Sequence, residues 1–197
     1  PEKLLNLNSY IYIKNMNQTI KNIGIKFGLF LALILSIINV GIYFYDYNIM
    51  ASTANGFILL FVIIIFGLIS TALAKFKIGG FITFKQAFTP YILTISIGIF
   101  ISTIVQFLIY SVIDPETGEL LKETLRNMYV EQIMKSNGTQ EEIAASIAEV
   151  KLTNPLAFGG LISSAVIRIA MLSVAGILIA LIFRNRSEFI APVEPKQ

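Results

Sequence analysis

Cysteine and histidine are both absent from the 197 residues. Without cysteine there is no disulfide, no thiolate nucleophile and no cysteine metal site, and redox usage says nothing about the compartment. Without histidine the commonest catalytic base, metal ligand and pH switch goes as well. Charge is also scarce. Only 14% of residues are charged against 55% hydrophobic, and the mean hydropathy is +0.75. A soluble core of this length could not use that balance without exposing large apolar patches.

What is present is four long apolar runs, at about residues 23–43, 56–74, 88–113 and 157–183. At 1.5 Å per helical residue, about twenty residues cross a hydrocarbon core of roughly 30 Å. The third and fourth runs are long enough to tilt. The first run has lysines before it but is longer than a signal-peptide core, and Tyr43-Phe44-Tyr45-Asp46 is no small-residue cleavage site. It reads as a retained span.

The few charges are unevenly placed. With both termini cytoplasmic, that side carries Lys3, Lys14, Lys21, Lys26, Lys75, Lys77, Lys85, Arg184, Arg186 and Lys196 against Glu2, Glu188 and Glu194. The segment 114–155 on the other side is net negative, and Asp46 adds to it. This asymmetry follows the positive-inside rule. It accounts for the net charge of +3 as an orienting device, so nucleic acid is not expected as a partner.

Local signals mark the helix ends. Thr83-Phe84-Lys85-Gln86 has capping-box spacing just after the Gly79-Gly80 break, so the third helix is expected from near Phe84, with Pro90 tolerated in an early turn. Asn154-Pro155 reads as an N-cap followed by proline at the first position of the fourth helix. Within 114–155, Leu121, Leu125 and Met128 recur at helical spacing. Ser136-Asn137-Gly138 then forms a turn, and Thr139 to Glu142 repeats the capping box before Ile143, Ile147 and Val150. Two amphipathic helices are expected, resting on one another, the bilayer surface or the bundle. Residues 1–15 read as an extension with little structure, Met16 resembles an alternative start, 16–186 form one membrane domain, and 187–197 form a cytoplasmic tail.

Three stretches carry a family resemblance: Gly79-Gly80-Phe81-Ile82-Thr83-Phe84-Lys85-Gln86-Ala87-Phe88, Thr139-Gln140-Glu141-Glu142-Ile143-Ala144 and Asn154-Pro155-Leu156. With the order of four helices, they resemble the bacterial membrane proteins grouped as domain of unknown function 4199, over about residues 17–186. The resemblance implies a bacterial, inner-membrane, multi-pass protein and brings no established reaction, ligand or catalytic residue. The stretch before Met16 departs from the family pattern.

Apart from Lys26 at the start of the first run, Arg168 is the one charge inside the runs. A central arginine costs about 2.5 to 3.5 kcal/mol on insertion scales, and each large aliphatic residue around it returns about 0.3 to 0.6. The helix still inserts, with the guanidinium facing protein or water. Gly160, Ser164, Met171 and Ala175 share its side, a small or flexible face of the kind used in close helix packing. Leaning toward its helix N-terminus, Arg168 reaches the depth of Gln106 and approaches Asn39. These three form the candidate intramembrane polar cluster. It reads as a buried clamp or a lipid-snorkelling arginine, as a water-accessible site for an anion, or as a subunit contact. No Asp or Glu lies within the four runs.

Catalytic, cofactor and metal residues are not identified. Serines and threonines have no histidine to activate them, and no phosphate loop, intramembrane acid pair or metal-ligand spacing occurs. The sequence therefore reads as an all-α membrane protein with four transmembrane helices, cytoplasmic termini and an extracytoplasmic helical hairpin between helices three and four. No cofactor is expected. The expected role is a non-enzymatic membrane component in the lipid bilayer that binds a protein or lipid partner, or a second copy. The alternative is a small transporter or channel subunit in which Arg168 contacts an anionic ligand.

Overall fold

The computed structural model describes the backbone of residues 2–185 and the side chains from Lys14 onward. The described residues are all-helical, in the order α1 (Glu2–Tyr45), α2 (Thr53–Lys77), α3 (Phe84–Phe107), α4 (Pro115–Met134), α5 (Gln140–Leu152) and α6 (Phe158–Phe183). A short 3-10 turn (Tyr47–Ala51) joins α1 to α2, and a π-helical turn (Leu108–Ile113) prolongs α3. Four segments are long and apolar enough to cross a membrane: Lys14–Tyr45, Thr53–Lys77, Phe84–Ile113 and Phe158–Phe183. The chain is on this basis a multi-pass membrane protein. The charges of the expected tail, from Arg186 on, lie outside the described residues.

Two expectations at helix starts are corrected. The backbone is helical from Glu2, where an unstructured extension was expected over 1–15. No glycine or proline interrupts the chain between Glu2 and Ile23, so nothing local stops the helix from running back. Asn154 does not cap α6. Its side chain accepts from the amide of Leu156 at 3.1 Å in a local turn, and the helix begins only after Ala157, which supplies no side-chain cap. An asparagine can satisfy its own next turn as readily as a helix start.

The helix α3 is the hub, packing against α1, α2 and α6. Its central contacts join Leu31 and Leu35 of α1, Ile63 of α2, Tyr91, Ile95 and Ile99 of α3, and Ala165, Leu172 and Ile179 of α6. Polar groups add directed contacts, as where Thr94 donates to the carbonyl of Gly24 at 3.2 Å. Both capping boxes are formed, Thr83 with Gln86 and Thr139 with Glu142. Gly79 and Gly80, at φ 90° and 88°, make the break between α2 and α3 in a conformation that other residues resist.

The two ends of the bundle differ in charge. At the basic end, Lys75 donates to the carbonyl of Phe183 at 2.9 Å, answering one of the open carbonyls at the end of α6. Beside it, the amide of Asn185 donates to the carbonyl of Ile82 at 3.0 Å, and the amide of Ile82 donates to the Asn185 side chain at 3.1 Å. At the acidic end, the hairpin of α4 and α5 covers the helix tops. There α4 buries Gly118, Leu121 and Leu125, whereas α5 buries no residue and packs chiefly on α4. A Cβ at Gly118 would run into the carbonyl oxygen of Tyr110, so α4 sits directly on the backbone of the π turn.

Asp114 joins these parts. It caps α4 by accepting from the amide of Thr117 at 3.0 Å, and its other oxygen accepts from the Tyr43 hydroxyl of α1 at 2.9 Å. The Thr117 bonds, then the Tyr43 bond, hold its carboxyl below the usual carboxylate range.

Candidate functional site

Toward the acidic end α2 and α6 part, and a cavity of about 410 Å³ opens between them. That volume lies within the range of about 300 to 1,000 Å³ typical of small-molecule sites. Its floor comes from α1 and α3, through Leu35, Asn39, Ser102, Thr103 and Gln106, and its walls from the first halves of α2 and α6. The underside of α4 closes it above, with Leu125, Met128, Tyr129 and Gln132.

Each wall has its local cause. Asn39 sits on the α1 face that packs against α3, 6% exposed, and donates to the carbonyl of Ser102 at 3.3 Å. That bond draws a polar patch into the apolar interface and aligns Asn39 with Ser102, Thr103 and Gln106. Asn55 follows the 3-10 turn and is turned inward by the start of α2, 7% exposed. Of the α6 residues that line the cavity, Leu161, Ala165 and Leu172 are buried while Ser164 and Arg168 are exposed at its mouth.

The three residues of the expected cluster, Asn39, Gln106 and Arg168, all line this cavity. They are not joined into a clamp. Among the described residues Arg168 makes no hydrogen bond or ion pair, and the amide of Asn39 is committed to the Ser102 carbonyl. The small face expected to pack closely around Arg168 is instead open. Ser164 lines the cavity, and Met171 points away at 71% exposure. The reason lies deeper in the bundle, where α2 and α6 are wedged apart.

The wedge is Tyr91. Its ring lies between Gly67 of α2 and Gly176 of α6, where an added Cβ at either glycine would run into ring atoms. Its hydroxyl donates to the carbonyl of Leu172 at 2.9 Å. The cavity lining ends at Leu35, Ile63 and Leu172, and the buried layer of Tyr91, Leu31 and Ile95 fills the bundle beyond it toward the basic end.

Sequence reasoning missed Asn55, Ser102, Thr103, Tyr129 and Gln132 as parts of the site. One signal was available: the stripe Leu121, Leu125, Met128 continues to Gln132 at the same helical spacing, placing an amide on the face that α4 buries. For Asn55, at the polar margin of an apolar run, no local signal distinguishes a solvated residue from a lining one.

A family model described as Protein of unknown function (DUF4199) matches residues 26–185. No curated protein and no solved structure matches the chain.

Proposed function

The chain belongs to the DUF4199 family, whose description assigns no reaction or ligand, and we propose from the cavity that it is a non-enzymatic membrane component that binds a partner within the bilayer. The observation that carries this reading is a cavity of about 410 Å³ whose lining holds one charged residue, Arg168, without a protein partner among the described residues. A cation kept inside a membrane span at a cost of a few kcal/mol is retained for what it meets. Among the described residues no acid meets it.

The charge asymmetry supports an orientation with the basic end cytoplasmic and the α4–α5 hairpin extracytoplasmic, and the resemblance to bacterial membrane proteins is the ground for placing it in a bacterial inner membrane. The second reading, a transporter or channel subunit in which Arg168 selects an anion, draws support from the same cavity. The Tyr91 layer weighs against it, because an open path would have to displace a wedge held on both sides and by a hydrogen bond.

An Arg168→Cys variant of this cysteine-free chain tests the reading. Labelling by a membrane-impermeant thiol reagent added on the hairpin side is the expected result. Protection from both impermeant and permeant reagents in a folded variant would mean a closed bundle, and binding would then have to be sought on the surface of α4 and α5.

A further inference from the structure

We propose that the cavity is a lateral site for an anionic phospholipid, with the phosphodiester held at Arg168 and the acyl chains leaving between α2 and α6 into the bilayer. This rests on the reading that the cavity binds a partner within the membrane, and it names that partner's chemistry.

Direction of access is the first argument. The floor residues Asn39, Ser102 and Thr103 are buried, while Gly56, Phe57 and Leu60 on one wall and Ser164 and Arg168 on the other are exposed. The mouth is therefore a slot in the side of the bundle, roofed by α4. Phe57 and Leu60, at 68% and 45% exposure, give its rim an apolar surface against which acyl chains can lie.

Depth is the second. Arg168 is ten residues beyond Phe158, the first residue of α6, or about 15 Å along the axis. Its side chain leans back toward the helix start. A helix of 26 residues is about 39 Å long against a hydrocarbon core of roughly 30 Å. The guanidinium thus lies on the order of 5 Å below the hydrocarbon boundary, within reach of a phosphate drawn slightly inward from its own leaflet.

Charge selects the headgroup. Arg168 is the one charged residue lining the cavity, and the remaining polar lining consists of amides and hydroxyls. One guanidinium matches one phosphodiester, with hydrogen bonds in a fixed fork. Neutral amides and hydroxyls suit the hydroxyls of a glycerol headgroup. A zwitterionic headgroup would bring an ammonium into a cavity that has a cation and no carboxylate. The volume holds a phosphoglycerol group but not two acyl chains, which therefore remain outside the slot.

The chain contains no tryptophan, so Phe57→Trp gives one reporter at the rim. The full chain would be reconstituted in vesicles of phosphatidylcholine containing either phosphatidylglycerol or phosphatidylcholine with brominated acyl chains. The expected result is a preference for the anionic lipid, falling on the order of tenfold in Arg168→Gln, as loss of a charged hydrogen bond predicts, and kept in part in Arg168→Lys, which retains the charge but not the fork. A Ser164→Phe variant, which fills the slot and leaves Arg168 in place, should lose the preference too. Equal quenching by both lipids, or a preference unchanged in Arg168→Gln and Ser164→Phe, overturns the proposal. Inorganic phosphate is the soluble arm. If it protects position 164, as Ser164→Cys, from thiol labelling while neither lipid is preferred, the cavity binds an anion from water. The lipid assignment then fails and the binding reading stands.

Discussion

Tyr91 and Leu172 meet across the bundle, the phenol hydroxyl of α3 donating to a carbonyl of α6 at 2.9 Å. Because the same ring lies against Gly67 and Gly176, it sets how closely α2 and α6 can approach and thereby where the cavity stops. A Tyr91→Phe variant keeps the wedge and loses the bond, an expected cost of about 1 kcal/mol. Gly67→Ala or Gly176→Ala forces a methyl into a filled space, at about 1 to 3 kcal/mol. Thermal unfolding in detergent would measure both. The alanine cost should shrink in a Tyr91→Leu background, and simple additivity would argue against the wedge.

Orientation can be tested with two single cysteines placed in the cysteine-free chain, Lys85→Cys at the basic end and Glu141→Cys at the start of α5. On intact cells, an impermeant thiol reagent should reach position 141, and position 85 only after permeabilisation. The opposite pattern would invert the proposed topology.

Acid should loosen the joint at Asp114. Its carboxyl is held below the ordinary range by bonds from Thr117 and Tyr43, so the folded state binds its proton more weakly than the unfolded chain does. The stability that this provides is present above the ordinary carboxylate value, about 3.9, and is lost as pH falls through the lower folded value. Amide exchange in the first turn of α4 should accelerate across that window in the wild type. In Asp114→Asn, which retains an acceptor for the cap but cannot titrate, that acid-linked step should be missing.

The hold on α5 is slender. Arg126 of α4 donates twice to the carbonyl of Thr153, at 3.1 and 2.5 Å, and α5 buries no residue of its own. Thirteen residues form a marginal helix without such support. Arg126→Ala should raise amide exchange across α5 by roughly tenfold and leave that of α6 unchanged. Equal protection of α5 in the wild type and in Arg126→Ala would show that packing against α4 is enough to hold the helix.

The spans and both capping boxes were legible because their signals are local: twenty apolar residues in a row, or a threonine three positions before Gln86 or Glu142. Arg168 was legible for its rarity inside an apolar run. Its surroundings were not. Periodicity puts Met171 and Ser164 on one face, but Tyr91, far away in sequence, decides that this face opens instead of packing. Asn154 misled because its side chain serves an adjacent turn as well as a helix cap. The roof of the cavity depends on how α4 lies across the bundle, and that follows from Gly118 meeting the backbone at Tyr110, a contact with no periodic trace in the sequence.

The paired bonds between Ile82 and Asn185 span 103 residues, and Lys75 reaches its carbonyl only at Phe183. During synthesis, therefore, the loop between α2 and α3 stays unsealed until α6 has entered the membrane and its far end has emerged. A chain interrupted before Asn185 would carry its apolar spans yet leave that seam open, with a lysine and two backbone groups unanswered at the membrane edge. The seam at Ile82 is therefore a contact that only a chain carrying all four spans can make.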